Sequence, residues 1–286
     1  MKSPKESEAM SADIEIICIG NELLIGKIIN TNASWLAKRA TSLGVSVRRI
    51  TVVADNIEAI AAIFCEAIER KPTFIISTGG LGPTFDDKTF QGIAKALKHK
   101  LSVNEEAFRM VEAKYKEYAK TKNIPEGEMT PPRVKMATIP EGTLVIMNPV
   151  GTAPGIRADV GASILIALPG VPREMEAIFE ESISPWLLDA GGNVTFYELS
   201  IYSENIMESV LAPLIDTVMG DNPPVYIKSH PKGRENKPHM ELHLSISGKS
   251  SENPEERLSK AAVQLSALIE KSGGRVVKAE TEVTVY

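Results

Sequence analysis

The chain has 286 residues, 43% of them hydrophobic and 24% charged, with a formal net charge of −5. That is the balance of a folded globular protein, long enough for one α/β domain and a smaller partner, and it excludes a low-complexity or disordered chain. It also excludes a global basic field for nucleic acid or an anionic membrane, and no apolar run is long enough to span a bilayer.

Met1 to Ala12 is polar and reads as a disordered leader. Ile14 to Ile19 is a β-branched run ending at Gly20, as a buried parallel strand would. Thr31 to Leu43 has helical spacing, with Trp35, Leu36, Ala40 and Leu43 on one stripe and Gly44 as the stop. A strand over Val45 to Val53 follows. Asp55 or Asn56 then caps a helix to Arg70, with Ile60, Ile63, Phe64 and Ala67 inward. Thr73 to Ser77 is a third strand, and after a glycine loop Asp86 or Asp87 caps a helix through Ala96. An amphipathic helix spans Glu105 to Ala119. Pro125, Pro131 and Pro132 punctuate the next stretch, and Leu144 to Met147 is a short strand. Gly155 to Ala158 and Ser163 to Leu168 pair around Asp159-Val160-Gly161, and Pro172 starts a helix to Leu188. Strand alternating with helix predicts an α/β fold, a mostly parallel sheet with helices on both faces.

Composition shifts at Ala190-Gly191-Gly192-Asn193. Beyond it the spacing predicts strand (Thr195 to Ile201), helix (Glu204 to Val218), strands (Pro224 to Ser229 and His239 to Ser247), helix (Pro254 to Lys271) and strand (Arg275 to Val277). That β-α-β-β-α-β order suits a small α+β split-βαβ domain over residues 193–286, beside a first domain over 13–189. Cys18 and Cys65 read as small buried apolar residues, so a disulfide or cysteine metal site is not expected and a reducing cytoplasm is the natural setting.

The chemistry concentrates in Thr78-Gly79-Gly80-Leu81-Gly82-Pro83-Thr84-Phe85-Asp86-Asp87. A buried strand runs into three glycines and then a helix. Exposed N–H groups and the helix start make an anion site there. Thr78 and Thr84 add hydroxyls. Asp86 and Asp87 would repel a bare phosphate unless a divalent cation lies between, and hard cations favour that mixture of oxygens. A tight turn with one capping aspartate accounts for only part of this set. Gly20-Asn21-Glu22-Leu23-Leu24-Ile25-Gly26-Lys27 almost matches a P-loop, but its glycines are one residue too far apart and Ile28 replaces Ser or Thr. The dinucleotide fingerprint fails too: the glycine loop follows the third strand, and Phe85 stands where its last glycine belongs. Glu22 remains at the carboxyl end of a central strand, with the Asn30 and Asn32 amides near. Taken singly, a helix cap explains each asparagine better than a ligand contact does, and a surface acid explains Glu22 about equally well. Two further loops, Asn148 to Gly155 (with Gly151 and Thr152) and Leu168 to Met175 (with Pro169 and Gly170), can meet the first two at one sheet edge, though Gly and Pro usually mark plain turns.

These four segments, in this order, resemble the N-terminal domain of the CinA (competence/damage-inducible protein) family from about Asp13 to Leu188. The resemblance implies a molybdopterin-binding-like fold and a KH-like second domain. It implies a divalent-metal-dependent pyrophosphatase that converts ADP-ribose to AMP and ribose 5-phosphate. The divalent metal would be Mg, Mn or Co, with a monovalent cation as an optional addition. Asp86, Asp87 and Glu22 would hold metal and carry catalysis. The N–H groups of Gly80 to Gly82 would hold a phosphate, and Thr78 and Thr84 would orient it. Family members often carry a third, amidohydrolase domain, which is not expected here because the chain ends at Tyr286. Asn21, Lys27 and Val171 depart from the usual pattern. Lys27 is either a phosphate contact or a solvated side chain. The rival function is binding of molybdopterin or another nucleotide-like ligand without turnover.

Three smaller readings complete the set. His239, Glu241 and His243 alternate on one strand face, and a solvated outer face is favoured over a metal site. The loop Pro231 to Lys237 lacks the G-x-x-G clamp, so nucleic acid is not an expected partner. By analogy with the fold, a homo-oligomer is expected, with Arg133 and Lys135 available to complete a neighbour's site.

Overall fold

The computed structural model describes residues 12–123, 128–192, 194–232, 239–279 and 284–285. The Pro125 punctuation lies outside them, as do most of the loop from Pro231 to Lys237 and all of the expected leader but Ala12, which is buried and accepts the Ser46 N–H at 3.0 Å. The chain divides into two compact units, Met1–Thr41 with Val45–Ala190, and Ser42–Gly44 with Gly191–Tyr286.

In the first unit, β1 (Asp13–Ile19) leads into a short helix α1 (Asn21–Leu24), then α2 (Thr31–Ser42), β2 (Ser46–Val53), α3 (Ile57–Arg70) and β3 (Phe74–Thr78). Next come α4 (Thr89–Leu97), β4 (Leu101–Val103), α5 (Glu105–Lys122), α6 (Pro131–Met136), β5 (Thr138–Pro140) and β6 (Leu144–Ile146). The unit ends with β7 (Gly155–Val160), β8 (Ser163–Leu168), α7 (Pro172–Ile178) and α8 (Ser184–Ala190). The main sheet has the order β2-β1-β3-β8-β7-β6. Its first three pairings are parallel and its last two antiparallel. The mostly parallel α/β architecture read from the sequence is therefore present, with an antiparallel flank.

Every residue of β1 and β3 is buried. Burial on both faces is why these strands read as unbroken apolar runs. The exceptions in β1 are paired: Arg70 grips the buried Glu15 through two bonds of 2.7 and 2.6 Å, and Arg48 pairs with Asp13. Helix α3 buries Ile60, Phe64 and Ala67 against this sheet.

Several expectations shift. Asn56, not Asp55, caps α3, accepting from the N–H groups of Glu58 and Ala59. The helix from Pro172 is interrupted by a π turn over Phe179–Ile183, where Phe179 meets the Trp35 ring edge-on at 5.2 Å. The small β4–β5 ladder was not expected; three-residue strands carry too little periodicity to read. Cys18 is buried, but Cys65 is exposed on α3.

The second unit holds β9 (Thr195–Glu204), α9 (Glu208–Asp221), β10 (Tyr226–Pro231), β11 (His239–Gly248), α10 (Pro254–Lys271), β12 (Arg275–Ala279) and β13 (Thr284–Val285). Its strands pair antiparallel in the order β10-β11-β9-β12, with β13 also on β9. Helix α9 begins later than expected because β9 continues through Glu204, which pairs with His239 in the ladder. Leu199, Ile201, Leu242 and Leu244 form a core with Leu211, Leu258 and Leu265 of the helices. On the other face His243 meets Glu198 at 3.0 Å, Lys232 meets Glu241 at 2.9 Å, and His239 lies 3.6 Å from Glu204. The alternating histidines thus lie beside glutamates on a polar sheet face.

Among the described residues no helix is long and apolar enough to cross a membrane.

Candidate functional site

β1, β3 and β8 are parallel neighbours, so their carboxyl ends coincide. The chain leaves β1 toward β2 on one side and returns to β3 on the other, and open sheets bind ligands at such a switch point. A cavity of about 400 Å³ occupies it, lined by residues of the segments 18–32, 78–87 and 169–174 together with Asp55, Met136, Thr152 and Ala153. Gly79 to Thr84, Glu22, Asp86, Asp87, Thr78, Asn30, Asn32, Thr152, Pro169 and Gly170 are all in its wall. Lys27 is exposed and is not in the wall, and neither is Gly151.

The glycine loop does two jobs. Gly79 (φ 108°) and Gly80 (φ 67°) need the positive-φ region. A Cβ on Gly79 would stand 2.2 Å from the Ile19 carbonyl oxygen, so the loop presses against the end of β1. Gly79 donates its N–H to the Leu168 carbonyl at 3.0 Å, and its own carbonyl accepts from the Thr89 hydroxyl at 2.7 Å. The first glycine is therefore spent on packing. In contrast, among the described residues the N–H groups of Gly80, Leu81 and Gly82 meet no protein acceptor.

Neither Asp86 nor Asp87 caps α4, contrary to expectation. The helix starts at Thr89 with Lys88 as its N-cap and no side-chain cap bond. The aspartates instead close a turn. Asp87 Oδ2 accepts the Thr84 N–H at 2.8 Å, and the Thr84 hydroxyl lies within hydrogen-bond reach of both carboxylates. Having one hydrogen, it serves one at a time. Its hydrogen bond is the main reason the exposed Asp86 carboxyl sits below the usual aspartate range.

Thr78 is a brace. Its hydroxyl donates to the Pro169 carbonyl at 2.8 Å and accepts from Asn32 Nδ2 at 3.0 Å, while the same amide also donates to the Gly170 carbonyl at 2.9 Å. Gly170 packs closely on Gly79, a Cβ there standing 3.2 Å from the Gly79 Cα. Asn30 accepts from the Ala33 N–H at 3.0 Å at the start of α2, the capping alternative weighed from the sequence. Glu22 folds back over Gly20, where a Cβ would meet its carboxylate at 2.4 Å.

Three residues stand at this site that the sequence reading did not assign to it. Asp55 is freed by Asn56 taking the cap, and its carboxylate accepts the Asn21 N–H at 2.7 Å. Burial raises its pKa, the Asn21 bond opposes that, and the charges of Glu22, Asp86 and Asp87 raise it further. Four carboxylates therefore share one field. The signal was present, since an acid just past the parallel strand β2 lies at the same sheet edge. Folded Asp55 holds its proton above 3.8, where the unfolded residue has lost it, so its ionisation costs stability as pH rises from there. Asp55→Asn is expected to raise the melting temperature in chelator at neutral pH, with the gain vanishing below about pH 4. An equal gain at both pH values would contradict this.

Lys135 of α6 is the second. Its Nζ donates to the Gly82 carbonyl at 2.9 Å and the Asp87 carbonyl at 2.6 Å, clamping both ends of the arm that carries the aspartates. Burial lowers its pKa, and Asp87 and Asp86 oppose that. Arg133 stacks over Tyr115 at 3.8 Å and donates to the Glu128 carbonyl. Both cations, expected to reach a neighbouring subunit, are thus engaged within their own chain. Lys135→Met is expected to loosen the arm and weaken Mg-dependent diphosphate binding about tenfold, measured by calorimetry, with Lys135→Arg milder.

The third is Glu174, at the opposite wall, whose Oε2 accepts from the buried Asn148 amide at 2.7 Å.

Comparisons with known proteins place the first unit in a family. The family model described as "Probable molybdopterin binding domain" matches residues 15–189. A protein of Sulfurisphaera tokodaii is 46% identical over 265 residues, covering 92% of this chain and 97% of that protein. A protein of Pyrobaculum arsenaticum is 46% identical over 263 residues, covering 92% and 96%. The crystal structure of CinA from Thermoplasma acidophilum, described as of unknown function, is 40% identical, with a TM-score of 0.56, over 62% of this chain and 98% of that one. The sheet, its switch-point cavity and the matched span coincide in the first unit, and the chain belongs to the molybdopterin-binding-domain family.

Proposed function

We propose that the first domain binds a phosphate-bearing, nucleotide-like ligand across the ends of β1, β3 and β8, with one phosphate on the N–H groups of Gly80, Leu81 and Gly82. The observation that carries this reading is that those three donors meet no acceptor among the described residues yet line the same cavity as Glu22, Asp55, Asp86 and Asp87. Bare amides suit an anion, and the Asp86 and Asp87 carboxylates, drawn together on the Thr84 hydroxyl, suit a cation.

Among the described residues, no three Asp, Glu, His or Cys side chains converge closely enough to hold a metal unaided. An Mg-like ion would keep its waters and take one or two carboxylates plus ligand phosphate oxygens. Asp86 and Asp87 would hold it, with Glu22 and Asp55 behind them. Mn or Co fits the same donors, and a monovalent cation would be additional.

The finer reading is hydrolysis of a nucleoside diphosphate such as ADP-ribose: one water enters, one P–O bond breaks, and AMP and ribose 5-phosphate leave. A bound divalent ion would supply charge neutralisation and a more acidic water. The loop amides would hold one phosphate still. Thr84 would keep Asp86 ionised and Asp87 oriented. Binding without turnover needs only the amides and a cation, and the family match supports that reading more directly than it supports hydrolysis.

The test is a panel of nucleoside diphosphates, including ADP-ribose, with Mg, Mn or Co, read both as binding by calorimetry and as AMP release. Saturable binding is expected, with AMP release that chelator abolishes. Binding without release would leave a ligand-holding domain and sink the hydrolase. Absence of binding would sink both. For the second unit, the KH-like reading rests on its β-α-β-β-α-β order alone, and the net charge of −5 argues against nucleic acid.

A further inference from the structure

Glu174 is the third residue of α7, after Pro172 and Arg173. A glutamate at that position commonly reaches back to the N-cap N–H. Here Val171 is the N-cap and, among the described residues, no side-chain cap bond is made. The carboxylate turns instead toward the loop after β6. Oε2 accepts from Asn148 Nδ2 at 2.7 Å. Asn148 is fully buried and itself locked, its Nδ2 donating to the Ala153 carbonyl at 2.8 Å and its Oδ1 accepting the N–H groups of Val150 and Gly151. Gly151 makes room for this, since a Cβ there would stand 2.0 Å from the Glu174 carboxyl carbon. A buried amide and a glycine thus fix one carboxylate oxygen. Glu174 lines the binding cavity, and among the described residues its other oxygen, Oε1, has no hydrogen-bond partner.

We propose that Glu174 is a specificity-determining residue that reads a sugar hydroxyl of the ligand, its Oε1 accepting from a ribose. The inference rests on the reading that places a phosphate on the glycine loop, and it names the other half of the same ligand. A carboxylate accepts and cannot donate, so it repels phosphate oxygens and selects O–H or N–H groups. Gly170 packs on Gly79, so the loop before α7 adjoins the phosphate loop, as sugar adjoins phosphate in a nucleotide. Among the described residues no aromatic ring lines the cavity, so they offer a flat base nothing to stack on there, whereas a saturated sugar needs only acceptors and small apolar walls such as Ala153 and Pro169.

The alternative role for Glu174 is to hold the 148–153 loop in shape. Glu174→Gln separates the two, because the glutamine oxygen still accepts from Asn148 while its amide nitrogen replaces Oε1 and turns an acceptor into a donor. The probes are ADP, its 2′-deoxy and 3′-deoxy analogues, and inorganic pyrophosphate, titrated with Mg by calorimetry. Wild type is expected to bind ADP about tenfold to a hundredfold more tightly than one of the deoxy analogues. Glu174→Gln is expected to lose that preference while holding pyrophosphate as wild type does. Equal binding of ADP and both analogues by wild type overturns the inference and leaves the phosphate reading intact, as does a preference that survives in the variant. Loss of pyrophosphate binding in Glu174→Gln assigns the residue to structure and overturns the inference as well. Failure of wild type to bind pyrophosphate and ADP overturns both readings together.

Discussion

Asp87→Asn is expected to lower Mg-dependent binding of a nucleoside diphosphate by about tenfold to a hundredfold, the usual cost of disturbing a metal-holding group or its support. Any turnover should fall further, because charge that develops during the reaction would lose its counter-ion. Asp87 has two separable functions. Its Oδ2 accepts the Thr84 N–H at 2.8 Å, which shapes the turn, and its charge lies in the field shared with Glu22, Asp55 and Asp86. Asparagine keeps an acceptor for Thr84 and removes the charge, while alanine removes both. Asp87→Asn should therefore melt within a few degrees of wild type yet lose the Mg dependence of binding, and Asp87→Ala should lose stability as well. Calorimetry with and without Mg, beside thermal melts, measures this. An unchanged Mg dependence in Asp87→Asn would remove Asp87 from the cation site.

The largest loss of stability is expected from Gly79→Ala. The added Cβ would meet the Ile19 carbonyl oxygen at 2.2 Å, and φ 108° is poorly tolerated by any L side chain. Strain and overpacking together should cost about 2–5 kcal/mol. For a domain of this size that lowers the melting temperature by roughly 5–15 °C. Gly82→Ala is the contrast. Its Cβ would first meet the Asp87 side chain, at 2.7 Å from Oδ2, and its φ is not in the positive region. It should melt near wild type and bind diphosphate poorly. If the two variants lose stability equally, the division of the loop into a packing glycine and a ligand-facing glycine is incorrect.

The parallel strands and the glycine loop were legible because β1 and β3, buried on both faces, had to be written as unbroken apolar runs, and the chain can only turn at their ends with glycine. The position of Glu22, Asp86 and Asp87 at the cavity wall was legible for the same reason, since the segments that carry them leave the ends of those runs. Asp55 was obscured by Asn56, since the two residue types cap helices about equally well and only the fold decides between them. The Lys135 clamp was not legible because a lysine donating to main-chain oxygens 48 and 53 residues away leaves no pattern in the sequence. Thr78 and Gly79 were read as ligand groups, but their hydrogen bonds go to Pro169 and Leu168, a choice made by the adjacency of β3 and β8 that local sequence does not encode.

The Lys135 clamp has a kinetic consequence. Both its bonds end on backbone carbonyls, so they fix the course of the chain from Gly82 to Asp87 whatever side chains lie between, and Phe85 at the tip can stand 87% exposed without disturbing it. An arm ordered before the ligand arrives need not be frozen by it, so little conformational entropy is lost on association. Encounter should then proceed without a slow folding-over step, and affinity differences among ligands should appear in how long each stays rather than in how fast it arrives.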